Sequence, residues 1–270
     1  MIRFLPKPIV RKKEEQTEFR WKSFWWLLVA FVLAAIANIP HSRAVKELTS
    51  QAVDLEKQSV IQSIIGNAGA ALILGSLFIW IGLWISARTN LGAPLLVKIL
   101  SGKSVWDSYN RNTILASALI GSIVGFLSLL MLKVQEYVLP MGPANFKHPS
   151  AIPNLFASFS AGITEEIIFR LGIMSLVITV NQYLIKAKTP SNKTIWIGNV
   201  LTALIFGLIH IPMSGNYYDL TPIVIGATVF GNVITGTTFG WIFWRYGLIM
   251  AMLAHFIFDV VFHIIGTPFN

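Results

Sequence analysis

The sequence predicts an all-α protein that crosses the membrane as a polytopic helical bundle of about seven spans. Hydrophobic residues make up 54% of the 270 positions and charged residues only 12%, about half the quarter that is usual for a soluble domain. These charges are too few to cover a soluble fold, and the apolar content excludes disorder. The chain has no cysteine, which excludes a disulfide scaffold, thiolate zinc sites and a cysteine nucleophile.

Seven stretches are apolar and long enough, or nearly so, for the roughly 20 residues that a spanning helix needs. The predicted spans are 23–39, 60–86, 113–132, 153–184, 195–211, 222–244 and 248–265. Only Arg245, Tyr246 and Gly247 separate the last two spans, which are therefore expected to form a tight helical hairpin. On this count the chain divides into a basic N-terminal segment (1–22), a scaffold of three spans (23–150) and a core of four spans (151–270).

Lys and Arg residues outside the spans are unevenly distributed. Fifteen lie in the N-terminal segment and every second segment after it, five lie in the other segments, and Arg170 lies inside a span. Because cytoplasmic loops are enriched in Lys and Arg, this asymmetry supports seven spans and a cytoplasmic N-terminus. It also accounts for the net charge of +9 without a nucleic-acid partner, since no basic stripe or RNA-binding motif is present. Short loops and the basic leader favour a bacterial plasma membrane.

Ionisable residues inside the predicted spans occur only in the last four. They are Glu165, Glu166, Arg170, His210, His255, Asp259 and His263. A charge at the bilayer centre costs at least about 2.5–3.5 kcal/mol on insertion scales, so such residues usually mark a functional site. We therefore expect one polar active-site cavity formed by the last four helices. A buried network that only locks the helices together is the alternative interpretation.

The fourth span carries two adjacent glutamates with different expected roles. Glu166 and Arg170 are four residues apart, so they share a helix face and can form an ion pair. Glu165 is rotated by about 100° from Glu166 and has no cation within its own helix. One carboxylate is thus expected to be structural, while the other is free to act as a general base.

Histidines in the fifth and seventh spans supply the other candidate groups. His210 lies toward the outer end of the fifth span. His255 and Asp259 repeat the four-residue spacing, so Asp259 can orient His255 or bind substrate beside it. His263 lies two turns further on and is interpreted as an interfacial residue outside the site.

Three motifs in this half of the chain resemble those of the CPBP intramembrane protease family, which includes type II CAAX prenyl endopeptidases and bacterial Abi proteins. They are Glu165-Glu166-x-x-x-Arg170, Phe206-x-x-x-His210 and His255-x-x-x-Asp259. The resemblance covers about residues 155–262. Each motif alone is weak, but three in order, at matching depths in otherwise uncharged helices, are specific.

The resemblance implies a membrane-embedded CAAX-type endopeptidase. Its substrate would be a membrane-anchored or membrane-inserted protein or peptide, prenylated and CAAX-like or related to bacteriocins. Glu165 would be the catalytic glutamate that activates water, with His210 assisting and His255 stabilising the oxyanion or positioning the substrate. Glu166 and Arg170 would support the site.

Two features of this set leave the mechanism open. Many family members carry Asn at the position of Asp259. An ionised Asp cannot donate a hydrogen bond to an oxyanion. Orienting His255 is therefore favoured over oxyanion stabilisation as the role of Asp259. Glu165, His210 and His255 also form a carboxylate-plus-two-histidine set of the kind that holds Zn²⁺. A metalloendopeptidase and a metal-free glutamate protease therefore fit the sequence equally well.

Two functions other than proteolysis are compatible with the same cluster. A non-catalytic immunity or scaffold protein would use the pocket only for binding. A proton-coupled transporter would use the Glu and His residues as a relay, although the chain has no inverted repeat and no matched pair of broken helices.

Overall fold

The computed structural model describes residues 5–9, 13–48, 59–106, 109, 111–138, 149–215 and 218–266. No β-strand occurs within these ranges, so the predicted all-α class and the polytopic helical bundle are confirmed. The division of the chain into 1–22, 23–150 and 151–270 stays a prediction.

The helices of the described ranges are numbered here in chain order. They are α1 (Lys13–Glu18), α2 (Arg20–Ala37), α3 (Ile39–Leu48), α4 (Val60–Thr89), α5 (Pro94–Leu100), α6 (Arg111–Val138), α7 (Ala151–Glu165), the π-helical segment π1 (Glu166–Met174), α8 (Ser175–Leu184), α9 (Asn192–Ile209), α10 (Ile211–Ser214), α11 (Pro222–Tyr246), α12 (Leu248–Asp259) and the π-helical segment π2 (Val260–Ile265).

Six of the seven predicted spans are confirmed as helices long and apolar enough to cross a membrane. They are Arg20–Leu48, Val60–Ser86, Arg111–Val134, Asn192–Ser214, Pro222–Tyr246 and Leu248–Ile265. The fourth predicted span, 153–184, is helical as α7, π1 and α8 but is not one of these six. The six helices fit the predicted polytopic bundle, and a seventh crossing by residues 153–184 stays a prediction. The charged run is enclosed by the other helices, since π1 packs against α4, α9, α11 and α12 and seven of its nine residues are buried.

The outer faces of the bundle are apolar. Ile61, Ile65 and Ile73 of α4 are exposed, as are Leu119 and Leu130 of α6. Water would not favour so much exposed aliphatic surface, whereas lipid is a suitable solvent for it. The outer surface thus agrees with a multi-pass membrane protein.

The predicted hairpin between the last two spans is confirmed. Gly247 alone joins the end of α11 to the start of α12, and its φ of 88° lies in the left-handed region that favours glycine. The N–H of Leu248 donates to the carbonyl oxygen of Gly92 at 3.0 Å, which ties this turn to the segment before α5. The Tyr246 hydroxyl donates to the carbonyl oxygen of Pro6 at 3.2 Å.

This turn belongs to one end of the bundle, which we call the basic end. Hydrogen bonds hold separate chain segments together there. The N–H of Ile9 donates to the carbonyl oxygen of Arg245 at 2.9 Å. The Tyr109 hydroxyl donates to the backbone carbonyl oxygen of Tyr246 at 3.0 Å. The start of α9 lies at the same end, because the rings of Trp196 and Trp244 are 6.0 Å apart.

Most described Lys and Arg residues lie at the basic end. They are Lys7, Lys13, Arg20, Lys22, Arg88, Lys98, Lys103, Arg111, Lys186, Lys188, Lys193 and Arg245. The opposite end of the described chain carries only Arg43, Lys46 and Lys133. Arg3, Arg11, Lys12, Lys57 and Lys147, which also contributed to the predicted orientation, lie outside the described residues.

Gly82 sets the distance between α4 and π1. Its α-carbon faces the backbone and side chain of Leu171 so closely that a Cβ would overlap them. Small residues allow such close approach of helices in membranes. The charged segment is therefore held against α4 by contacts that need a glycine.

Replacing this glycine should destabilise the bundle. We expect Gly82→Ala to lower the free energy of unfolding by about 1–3 kcal/mol through overpacking. Gly69→Ala is the matched control on the same helix, because a Cβ there meets nothing within 4 Å. Thermal unfolding of both variants in detergent tests the expectation, and equal midpoints would contradict the proposed close contact.

Candidate active site

A cavity of about 440 Å³ lies between the helices toward the end opposite the basic end. Glu165, His210, His255 and Asp259 all line it, so residues from three separate predicted spans converge as expected. The prediction that the last four helices alone form the cavity is too narrow, because the first and third spans contribute as well. Their lining residues are Asn38, His41, Ser128, Met131 and Leu132.

Glu166 connects Arg170 to His255 in the wall behind the cavity. Nδ1 of His255 donates a hydrogen bond of 2.8 Å to Oε1 of Glu166, and Nε of Arg170 lies 3.4 Å from Oε2 of the same carboxylate. The side chains of Glu166 and Arg170 are 0% and 1% exposed. The ion pair has the four-residue spacing that the sequence predicted, whereas the hydrogen bond to His255 joins residues 89 positions apart.

The charge of Arg170 is enclosed by one carboxylate and two aromatic rings. None of its guanidinium nitrogens has a hydrogen-bond partner in the described part of the chain. Its Cζ lies 5.1 Å from the ring centroid of Phe206 and 6.0 Å from that of Phe239, which is the range of cation–π attraction. Glu166 is therefore the ionic partner on which this buried cation depends.

The two adjacent glutamates face different surroundings. π1 begins directly after Glu165, and such wide helical turns are rare and often occur at functional sites. The side chain of Glu165 is 26% exposed and reaches the cavity, while that of Glu166 is fully buried. The chain thus carries one carboxylate fixed in the wall and a neighbouring one that solvent and substrate can reach.

His255 is held in a single orientation beside Glu165. Its ring stacks on Phe239, with 4.6 Å between centroids and 19° between planes. Nε2 lies 3.8 Å from Oε2 of Glu165 and 3.7 Å from Oδ2 of Asp259, both longer than a hydrogen bond. Glu166 therefore orients the ring. Asp259, which the sequence favoured for that role, is too distant for it, and its other predicted role beside the substrate stays a prediction.

His210 faces the cavity from the end of α9. Its Nδ1 lies 2.7 Å from the backbone oxygen of Phe206, and the two rings are 4.4 Å apart. Donation from Nδ1 to this carbonyl leaves Nε2 as the nitrogen that can exchange a proton with groups in the cavity.

Two cavity residues were missed by sequence reasoning. His263 was expected outside the site but lines the cavity, with its Nε2 4.0 Å from Oδ1 of Asp259. The four-residue spacing from His255 to Asp259 repeats from Asp259 to His263, and this repeat could have indicated that all three share one helix face. Asn154 also lines the cavity, and its Nδ2 donates to the backbone oxygens of Pro149 and His263, both at 3.1 Å. The sequence could have indicated Asn154, because a polar amide within an otherwise apolar span often belongs to a functional site.

The metal-ligand set that the sequence left open is not assembled in this geometry. No group of three or more His, Asp or Glu side chains within the described ranges is arranged to hold a metal ion, although Glu165, His210 and His255 share one cavity. Nδ1 of His255 is occupied by Glu166. The carboxylate and imidazole groups are themselves sufficient for acid–base chemistry.

Residues 148–261 match the family model described as Rce1-like, type II CAAX prenyl endopeptidase. The match spans α7 through α12 and contains Glu165, Glu166, Arg170, His210, His255 and Asp259. No curated protein and no solved structure matches the chain.

Proposed function

We propose that this chain hydrolyses a peptide bond of a membrane-associated protein or peptide with a water molecule activated by Glu165. Its residues 148–261 belong to the Rce1-like type II CAAX prenyl endopeptidase family of CPBP proteases. One observation carries the proposal. The reachable carboxylate of Glu165 lies 3.8 Å from Nε2 of His255, whose other nitrogen is fixed by the buried Glu166.

Glu165 acts as the general base. It takes a proton from a water molecule in the cavity as the water oxygen attacks the carbonyl carbon of the scissile bond. Its partial exposure gives water access, and the apolar rings of Phe206, Phe239 and Phe258, which line the same cavity, limit the amount of bulk solvent there. Removal of bulk water strengthens each electrostatic interaction in the site.

His255 stabilises the oxyanion of the tetrahedral intermediate. In its doubly protonated form Nδ1 donates to Glu166 and Nε2–H donates into the cavity. Because the ring is already held by stacking and by one hydrogen bond, its donor needs little reorganisation when charge develops. His210 supplies a second imidazole nitrogen on the same cavity.

Collapse of the intermediate completes the reaction. Protonated Glu165 returns its proton to the amide nitrogen, the C–N bond breaks, and the products are a carboxylate and an amine. The proton count balances with one water consumed, and no covalent enzyme intermediate is needed.

A chelator distinguishes this mechanism from a metalloprotease. We expect cleavage by purified protein to be unchanged after incubation with 1,10-phenanthroline and EDTA, because Glu165, His210 and His255 do not form a group arranged to hold a metal ion. Loss of activity that zinc restores would contradict the metal-free mechanism while leaving proteolysis intact.

The proposed activity itself is tested on membranes. Cells that express the wild type or Glu165→Gln at equal levels are compared for new peptide N-termini in the membrane fraction. We expect N-termini in membrane-associated proteins that occur only with the wild type. Identical sets of N-termini would contradict proteolysis and favour a binding function.

A further inference from the structure

We propose that the active-site cavity opens to the non-cytoplasmic side of the membrane, so that its substrate is a polypeptide segment presented on that side. This inference deepens the proposed protease function. It names the face of the membrane from which the scissile bond reaches Glu165.

The cavity mouth lies at helix ends remote from the basic end. Met213 follows α9 and is 52% exposed, and the side chain of His263 in π2 is 49% exposed; both line the cavity. Asn154, near the start of α7, joins this region to π2 by a hydrogen bond. Glu165 lies about 21 Å along α7 from Ala151 at ~1.5 Å per residue, which is a depth that a peptide entering from this end can reach.

The basic end offers no comparable entry. The N-terminal segment, the turn before α5 and the α11–α12 turn are joined there by the hydrogen bonds from Ile9 to Arg245, from Leu248 to Gly92 and from Tyr109 to Tyr246. The rings of Trp80 and Trp84 stack beside this end, with the guanidinium of Arg20 over Trp84. A substrate from that side would have to separate these contacts.

The distribution of Lys and Arg indicates which end of the bundle faces which side of the membrane. Twelve described Lys and Arg residues lie at the basic end and three at the cavity end. Since short cytoplasmic loops carry the excess of Lys and Arg, the basic end faces the cytoplasm. The cavity consequently faces the other side, and a substrate must be translocated or inserted before cleavage, which excludes a C-terminus that stays in the cytoplasm.

Single cysteines test this arrangement cleanly because the natural chain has none. Ser214→Cys places a thiol in the cavity lining, and Ser104→Cys places one at an exposed site on the basic end. Intact spheroplasts are treated with a membrane-impermeant maleimide before and after permeabilisation. We expect Ser214→Cys to react in intact spheroplasts and Ser104→Cys only after permeabilisation.

The opposite pattern, or reaction of Ser104→Cys in intact spheroplasts, overturns the inference and assigns the site to cytoplasmic substrates. If Ser214→Cys resists the reagent even in detergent, the half-exposed Met213→Cys replaces it under the same criteria. The labelling reports the side of the cavity whether or not a variant cleaves. Failure here is therefore distinct from failure of the protease function, which the N-termini report.

Discussion

Glu165→Gln should lower kcat/KM by about 10²–10⁴-fold, because it removes the general base while it preserves the shape of the side chain. The amide cannot accept a proton from water. Folding should be unaffected, since the carboxylate is partly exposed and lies beyond hydrogen-bond distance of His255. We expect normal accumulation in the membrane and an unchanged unfolding midpoint together with the loss of cleavage.

Glu14→Gln is the matched control for this prediction. Glu14 is an exposed carboxylate of α1 at the basic end, so its neutralisation should leave both cleavage and stability unchanged. Retention of wild-type cleavage by Glu165→Gln would remove the assigned base, and loss of cleavage in both variants would indicate a general effect of charge.

Arg170→Met should cause the largest loss of stability, about 3–5 kcal/mol, because it removes the arginine partner of the fully buried Glu166 carboxylate. The methionine fills a similar volume between Phe206 and Phe239, so packing is largely retained. Thermal unfolding in detergent measures the loss.

The double variant Glu166→Gln with Arg170→Met separates charge from packing. Removing both charges should recover part of the stability, with a coupling of about 0.5–3 kcal/mol between the two substitutions. Additive losses in this cycle would mean that the 3.4 Å contact does not act as an ion pair.

Local helix periodicity made part of the site predictable. The pairing of Glu166 with Arg170 and the divergence of Glu165 depend only on residue spacing within one helix. The hairpin was likewise predictable, because only Arg245, Tyr246 and Gly247 separate two long apolar stretches. Short-range geometry of this kind is fixed by the chain itself.

Long-range contacts were not predictable from spacing. The hydrogen bond from His255 to Glu166 depends on how α12 packs against π1, and it gives Glu166 the orienting role that the sequence had assigned to Asp259. A π-helical turn leaves no periodic pattern to read, so π1 was also missed. Which helices enclose the charged run of the fourth predicted span was also not predictable, because a hydropathy count of a single segment does not include its neighbours.

The central claim is that Glu165 and His255 act together on one scissile bond. A kinetic cycle of Glu165→Gln, His255→Gln and the double variant measures this most directly, because groups that act as a unit show strongly non-additive losses in kcat/KM. The account predicts that the double variant is no slower than the slower single variant. Losses that multiply would show that the two side chains act independently, and would contradict a shared catalytic site.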